Sequence, residues 1–230
     1  MSSSSRKIEP TEEALIVVDV QNDFCPPEGA LAVPRGDEVV PVINLLRPAF
    51  RCVVFTQDWH PPGHVSFASA HPGHQALERV SVALPDGRST PQVLWPDHCV
   101  QETVGAQLHR GLQVDAPGDL LVRKGTDARY DSYSAFKDDS GVPTGLAEQL
   151  RQRGVTHVLV CGLALDYCVR ATACDALDAG FRVSVIVDAT RGIDEVDCAK
   201  ALATFRELGI QAVTARKVLQ ERMAQSAIDA

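Results

Sequence analysis

The sequence has few aromatic residues, no CxxC pair and no apolar run long enough to cross a bilayer. Aromatic residues make up 5% of the chain and apolar residues 45%, so aliphatic side chains must fill most of the core. The longest apolar run, residues 158–165, is far shorter than the roughly 20 residues of a transmembrane helix. This composition favours helices packed on a sheet, and we expect no membrane span.

Positive charge is also in short supply. The 22 Lys and Arg residues stand against 30 Asp and Glu residues, which gives a net charge of −8. Such a chain is not expected to bind nucleic acid or an anionic membrane surface. Seven cysteines, an odd number in 230 residues, argue against a disulfide scaffold and for the reducing cytoplasm. Residues 1–12 begin with a polar stretch rather than a signal peptide, and we expect a disordered tail there.

Apolar, β-branched runs alternate with helical patterns along the chain. Strands are predicted at 14–18, 51–55, 119–123, 157–161, 181–187 and, more weakly, 210–214. Helices are predicted at 39–49, 144–153, 168–179 and 195–208. The alternation predicts one three-layer α/β/α domain over residues 13–230, with a mostly parallel sheet of about six strands. Residues 57–118 interrupt the alternation and are predicted to form an inserted loop and hairpin region.

Polar side chains follow the predicted strands, where open α/β sheets place their sites. Asp19, Asp58 with His60, and Lys124 stand at three strand ends, and Cys168 follows a fourth. A thiol beside a carboxylate base and a lysine is a plausible activated nucleophile. Cys168 is predicted at a strand-to-helix turn, where the helix dipole would lower its pKa and backbone N–H groups could hold an oxyanion. A cysteine beside an apolar strand is more often a small core residue, so its neighbours carry the argument.

Histidines and aspartates form a second candidate set. Asp58, His60 and His98 are the best three-ligand subset for Zn²⁺, Fe²⁺ or Mn²⁺. His60 and His64 are four residues apart, but the Pro-Pro-Gly segment 61–63 prevents a helical pairing. Spacing alone is a weak metal signal, because any single histidine here is more often a surface loop residue than a metal ligand.

Seven segments occur together in a fixed order between about residues 14 and 214. They are 19–24, 58–61, 66–68, 95–101, 124–125, 131–136 and 162–169. This ordered set resembles the nicotinamidases, members of the isochorismatase-like cysteine hydrolases. The resemblance implies a catalytic triad of Asp19, Lys124 and Cys168. It also implies a cis peptide at Leu163–Ala164 and an oxyanion site made by the N–H groups of Ala164 and Cys168.

The resemblance further implies one divalent metal ion, most often Zn²⁺, with Fe²⁺ or Mn²⁺ as alternatives. Its ligands would be Asp58, His60 and His98, with Ser66 or His64 as the fourth and a slight preference for Ser66. His71 and His74 match no functional position and are expected to be loop residues. The positions that would line a ring pocket are Phe24, Trp95, Tyr133, Leu163, Ala164 and Tyr167.

The implied reaction converts nicotinamide to nicotinate and ammonia through a thioester, as in NAD salvage, and extends to analogues such as pyrazinamide. The metal would chiefly orient the pyridine ring. No partner beyond this small molecule is implied, apart from a homo-oligomer, which the sequence leaves open. Residues 127–130 and the prolines at 61–62 vary among relatives, so the substrate range is left open.

Several alternatives compete with this interpretation. Amidases of carbamoyl or ureido substrates share the triad but typically lack the metal set, and isochorismatases typically lack the nucleophilic cysteine. A metallohydrolase with a structural Cys168 and a catalytically silent binding protein are further readings. A dinucleotide-binding module is poorly supported, because no GxGxxG follows the first strand.

Overall fold

A fully parallel six-stranded sheet forms the centre of the structure, a computed structural model that describes residues 12–114 and 118–228. The strands are β1 (Glu13–Val18), β2 (Cys52–Asp58), β3 (Arg79–Ala83), β4 (Ser89–Val93), β5 (Leu120–Lys124), β6 (His157–Leu163), β7 (Arg182–Arg191) and β8 (Gln211–Val213). The sheet has the order β5-β2-β1-β6-β7-β8, and β3 and β4 form a separate antiparallel hairpin. The predicted mostly parallel sheet of about six strands is confirmed.

Helices cover both faces of the sheet. They are α1 (Val39–Leu46), α2 (Leu146–Gln152), α3 (Arg170–Asp178), α4 (Glu195–Leu208) and α5 (Ala215–Ile228). Side chains alternate along β1, so Leu15 and Val17 face one core cluster and Ile16 and Val18 face the other. α1 and α5 contribute to the first cluster, and α2, α3 and α4 to the second. Because both faces are covered, the central strands are apolar throughout.

The elements differ from the prediction in several places. β7 continues to Arg191, beyond the predicted end at residue 187, and α5 was not predicted. The inserted region begins after Asp58, because residues 57 and 58 are still part of β2. The predicted tail, residues 1–12, lies almost entirely outside the described residues.

The described residues contain neither a disulfide nor a helix that could span a membrane. All seven cysteines are free thiols, so no disulfide contributes to the stability of this fold. No described helix combines the length and the apolar composition that a bilayer span requires.

Candidate active site

Three neighbouring strands deliver the first charged residues to one edge of the sheet. β2 ends at Asp58 and β5 at Lys124, and these two residues are paired in the strand register. Asp19 follows β1 directly, with a positive φ of 47° that turns the chain at the strand end. Since parallel strands end at the same edge, the predicted charged residues meet there.

Lys124 lies at the centre of the cluster, and the residue is only 2% exposed. Its ammonium Nζ is 2.8 Å from Asp19 Oδ2, 2.5 Å from Asp58 Oδ1 and 3.4 Å from Cys168 Sγ, and it donates to the Ser132 carbonyl at 3.0 Å. Burial alone would lower the pKa of Lys124, but Asp19 and Asp58 together raise it well above its ordinary value. The buried charge is therefore retained and paired.

Asp19 is completely buried and is held by a threonine of the neighbouring strand. Thr56 Oγ1 donates to Asp19 Oδ1 at 2.5 Å, and the Asp19 N–H donates back to Thr56 Oγ1 at 3.0 Å. Burial raises the pKa of Asp19, and the nearby Asp58 carboxylate adds to this, although Lys124 opposes it. Asp19 Oδ2 faces the Lys124 ammonium, and a carboxylate with a raised pKa is well suited to exchange protons.

Cys168 has its sulfur beside both of these groups. An oxygen of Asp19, an oxygen of Asp58 and Cys168 Sγ all lie within 4.8 Å of one another. Burial raises the pKa of the Cys168 thiol well above its ordinary value, and the Asp19 and Asp58 charges also raise it, whereas Lys124 lowers it. The expectation that the helix dipole would lower this pKa was therefore wrong. The thiol rests in its protonated form and needs an adjacent base.

The turn that carries Cys168 differs from an ordinary helix start. Residues Leu165–Val169 form a single π-helical turn, and α3 begins only at Arg170. The peptide bond Leu163–Ala164 is cis, as the resemblance implied. The Ala164 carbonyl accepts the N–H groups of Tyr167 at 3.0 Å and Val169 at 3.1 Å, which closes the turn. Ala164 and Cys168 thus flank one compact turn at the end of β6.

The predicted metal ligands also converge. Asp58, His60 and His98 are buried, and one ligand atom of each lies within 4.8 Å of the others. Asp58 Oδ2 is 3.6 Å from His60 Nε2 and 3.9 Å from His98 Nε2. Ligand atoms around a tetrahedral ion are about 3.4 Å apart, which follows from metal–ligand bonds of about 2.1 Å. Burial alone would raise the pKa of Asp58, but Lys124 and His60 lower it below its ordinary value.

Backbone carbonyls orient both imidazole rings. His60 Nδ1 contacts the Gly125 carbonyl at 2.9 Å, and His98 Nδ1 contacts the Pro96 carbonyl at 2.8 Å. A carbonyl oxygen can only accept, so each Nδ1 donates, and the Nε2 nitrogens that lie 3.6 and 3.9 Å from Asp58 Oδ2 are the atoms through which the neutral rings can bind a metal. Gly125 has a φ of 61°, and a Cβ there would overlap the His60 ring. This donor set fits a divalent cation of the Zn²⁺, Fe²⁺ or Mn²⁺ kind.

The two candidates for a fourth ligand contact each other. His64 Nδ1 and Ser66 Oγ are 2.7 Å apart, and the His64 ring stacks on His60 at 4.1 Å. Burial and the neighbouring His60 lower the pKa of His64 to about 4, so this ring is neutral. His71 and His74 lie in the following loop, where His71 contacts the Val65 carbonyl. Neither is among the grouped ligands of the described residues.

The predicted ring-pocket residues fall into two groups. Trp95 meets Tyr167 edge-on with ring centroids 4.9 Å apart, and Trp95 Nε1 donates to the Tyr133 hydroxyl at 3.1 Å. Phe24 lies on the other side, 5.4 Å from the His98 ring. Leu163 is completely buried in the same core cluster as Phe24 and Ala164. The structure therefore places three aromatic rings together and a fourth beside the metal ligands.

Sequence reasoning missed several residues that hold the site. Gln21 Oε1 accepts the Asp58 N–H at 2.8 Å, and Gln21 Nε2 donates to the Asp58 carbonyl at 2.8 Å. Thr56 binds Asp19, and the Gln92 amide donates to Asp131 Oδ2 at 2.8 Å. A polar side chain inside a strand buried on both faces was the available signal for Thr56.

Comparisons with known proteins identify the family of this chain. A family model described as the isochorismatase domain matches residues 13–217. The nicotinamidase of Acinetobacter baylyi is 46% identical over 208 residues, which are 90% of this chain and 94% of that protein. The structure of the yeast nicotinamidase bound to the inhibitor nicotinaldehyde matches with a TM-score of 0.84 and 33% identity, covering 88% of this chain and 99% of that chain.

A third relative contains a metal. The structure of the Pyrococcus horikoshii pyrazinamidase in complex with zinc matches with a TM-score of 0.71 and 39% identity, covering 89% of this chain and 99% of that chain. The chain therefore belongs to the isochorismatase family, and within it to the nicotinamidase group. The recognition made from the sequence is confirmed, as is the assignment to hydrolases of the amide carbon–nitrogen bond.

Proposed function

We propose that this chain hydrolyses nicotinamide to nicotinate and ammonia through a thioester on Cys168. One observation carries the proposal: Cys168 Sγ, the Lys124 ammonium and the Asp19 carboxylate share one buried cluster beside the Asp58, His60 and His98 set. A thiol, a base and a cation in contact form a covalent catalytic unit. The relatives named nicotinamidase and pyrazinamidase supply the substrate class.

Acylation begins with the protonated thiol, whose pKa is raised. Asp19 takes the proton from Cys168 Sγ, and the sulfur bonds to the carboxamide carbon. The carbonyl π electrons move onto oxygen, which the N–H groups of Ala164 and Cys168 would bind, and one such donor is worth about 3 kcal/mol. The carbon–nitrogen bond then breaks, Asp19 returns its proton to the leaving nitrogen, and ammonia departs from the thioester.

Deacylation reuses the same base. Asp19 takes a proton from water, and the water oxygen attacks the thioester carbon. The carbon–sulfur bond breaks, Cys168 Sγ recovers the proton from Asp19, and nicotinic acid leaves and gives its carboxyl proton to water to become nicotinate. Lys124 keeps its proton throughout, because two carboxylates raise its pKa. Its charge holds Asp19 in place and stabilises the developing thiolate.

Asp58, His60 and His98 would hold the divalent ion, with Ser66 or His64 completing the set. When bound, the ion would supply a Lewis acid close to Phe24, and it would orient the pyridine ring of the substrate. The zinc in the P. horikoshii relative supports Zn²⁺ as the ion. The nicotinaldehyde bound to the yeast relative supports attack by a thiolate, because an aldehyde is an electrophilic carbonyl on the same ring.

Ammonia release from nicotinamide by the purified protein tests this function. The assay is run on zinc-loaded protein, after chelation, and after zinc is returned. We expect activity that chelation removes and zinc restores. No ammonia from the zinc-loaded protein would refute the proposal. Pyrazinamide should also be hydrolysed, as in the pyrazinamidase relatives. We further propose a cytoplasmic location, which suits seven free thiols.

The cysteine variant Cys168→Ala separates covalent catalysis from attack by a metal-held water. We expect it to lose at least about 10³-fold in kcat while keeping zinc content and fold, because the residual rate comes from binding and the oxyanion site alone. Turnover above one tenth of wild type would instead support the metallohydrolase reading. As a second readout, alkylation of Cys168 by iodoacetamide should be slowed by bound nicotinamide. Cys161→Ala removes another buried thiol and serves as the matched control.

A further inference from the structure

Asp166 is a buried carboxylate that the proposed mechanism does not use. Its side chain lies on the π-helical turn Leu165–Val169, two residues before Cys168, and the residue is 3% exposed. Buried carboxylates normally require a cation or several donors. Within residues 12–114 and 118–228, the structure shows no lysine, arginine or histidine paired with it.

Backbone donors at the start of α4 take the place of a cation. Asp166 Oδ1 and Oδ2 both lie 3.1 Å from the Ile193 nitrogen, and Oδ2 accepts the Asp194 N–H at 2.9 Å. Asp194 is the N-cap of α4, so the carboxylate sits at the positive end of that helix. Hydrogen bonds to an ionised acceptor are about twice as strong as neutral ones.

The opposing loop is shaped for this contact. A Cβ at Gly192 would overlap Cys198 Sγ and lie 2.9 Å from Asp166 Oδ1. Only a residue without a side chain lets the loop between β7 and α4 approach the carboxylate this closely. Asp166 therefore joins two segments, residues 165–169 and 192–194, just beyond the last paired residues of β6 and β7, Leu163 and Arg191.

We propose that Asp166 is a positioning residue that fixes Cys168 Sγ against the carboxamide carbon and the Cys168 N–H against the carboxamide oxygen, an inference that rests on the proposed function. Because Asp166 and Cys168 share one turn, release of the carboxylate would let the turn shift relative to Asp19 and Lys124. A displacement of about 1 Å at a reacting group costs about 10²-fold in rate. The metal ligands and the rings of Phe24, Trp95 and Tyr133 belong to other segments, and of the aromatic rings only Tyr167 shares the turn. The rate of the chemical step should therefore fall more than substrate binding weakens.

The variant Asp166→Asn tests the role with a nearly isosteric change. Its NH₂ group would face one of the two backbone N–H groups and lose that hydrogen bond. We expect kcat for nicotinamide to fall at least tenfold, KM to change less than threefold and bound zinc to stay equimolar. Gly192→Ala disturbs the contact between Asp166 and the loop at residues 192–194 from the loop side. It should likewise lower kcat much more than it changes KM. Asp166→Glu, which retains the carboxylate, should recover part of kcat.

Asp188→Asn is the matched control, because Asp188 Oδ1 also accepts a backbone N–H at a helix start, from Ala215 at 2.8 Å. It should leave kcat within twofold. A folded Asp166→Asn variant with kcat within twofold of wild type would overturn the proposal, as would a rise in KM equal to the fall in kcat. The rate at which iodoacetamide alkylates Cys168 in the folded protein can be measured without any substrate, from the peptide that contains Cys168. This rate should differ between Asp166→Asn and the wild type. An unchanged alkylation rate would also contradict it, whereas a wild type inactive on nicotinamide would refute only the proposed function.

Discussion

Buried polar contacts between single residues set the protonation of the catalytic cluster. Thr56 is completely buried in β2, and its hydroxyl donates to Asp19 Oδ1. This hydrogen bond lowers the pKa of Asp19 against the larger effect of burial, which raises it. Since Asp19 must be ionised to accept the thiol proton, the threonine extends activity toward lower pH.

The variant Thr56→Val should shift the pH profile in a defined direction. Removing the hydroxyl raises the pKa of Asp19 further, so the acid limb of kcat/KM should move to higher pH. Thr56→Ser keeps the hydroxyl and should leave the limb near its wild-type position. The profile is measured as kcat/KM for nicotinamide between pH 4 and 9. A limb that does not move in Thr56→Val would mean that Asp19 does not govern it.

Asp139 offers a separate test of burial at the residue scale. Burial and the nearby Asp131, Asp138 and Asp175 raise its pKa from an ordinary 3.8 to about 7. A raised folded pKa gives stability that is fully present below about pH 3.8 and is lost as the pH rises to 7. Asp139→Asn should therefore raise the melting temperature more at pH 8 than at pH 4.5. An equal change at both pH values would contradict the shift.

At the scale of elements, apolar strands were predictable and polar extensions were not. β1 and β6 are apolar because both faces are covered, and their positions matched the prediction. β7 runs on to Arg191 because Thr190 and Arg191 pair with the end of β6, although their polar side chains break the apolar pattern. Tertiary pairing, rather than local propensity, extends this strand.

Helix α5 illustrates the same limit. Ala215 and Val218 are buried among its described side chains, whereas charged residues occupy much of the rest, so no apolar stripe marks it. Arg222 of this helix donates to the Ala49 carbonyl at 2.6 Å and pairs with Glu13. Such contacts between distant segments leave no periodic signal in the sequence.

The candidate site was more predictable than these elements. Strand ends and ordered motifs in the sequence predict that Asp19, Lys124 and Cys168 lie in one cluster. The pKa of Cys168 was not predictable, because its direction depends on burial and on two carboxylates from other strands. The π-helical shape of the turn Leu165–Val169 was not predictable either, because the same residues would also be compatible with an α-helical turn.

Gly162 is the residue on which the end of β6 depends most. It has a φ of 107°, and a Cβ there would overlap the backbone of Val18. Gly162→Ala should lower the free energy of unfolding by about 3 kcal/mol or more, because a backbone clash in a central strand cannot relax cheaply. Gly180→Ala is the control: its φ is 89° but its surroundings are open, so about 1–2 kcal/mol is expected. Chemical denaturation measures the free energy of unfolding of both variants. Equal losses would show that the positive φ, and not the overlap with Val18, causes the destabilisation.

At the scale of the whole molecule, the site joins the central sheet to the inserted region. Asp58 comes from the sheet, whereas His60 and His98 come from the region that follows β2. Bridges such as the pairing of His60 with Val100 hold that region together. An ion bound by all three residues would therefore tie the insertion to the sheet, and its binding free energy would add to folding stability.

Zinc should raise the melting temperature of the whole chain. At a zinc concentration 100 times Kd, the native state gains about 2.7 kcal/mol. His98→Ala removes one of three ligands and should largely lose this response. His74→Ala changes a loop histidine that pairs with Glu78 and should keep it. A zinc response that persists in His98→Ala would place the ion elsewhere.

The double pairing of Lys124 restricts how this chain can diverge. One ammonium balances Asp19 on the nucleophile side and Asp58 on the metal side, at 2.8 and 2.5 Å. A lineage that discarded the ion together with Asp58 would leave one carboxylate to balance that buried cation and would alter the proton affinity of the base. Such a lineage would need a compensating substitution near Lys124, so the two halves of the site are expected to change together over evolutionary time.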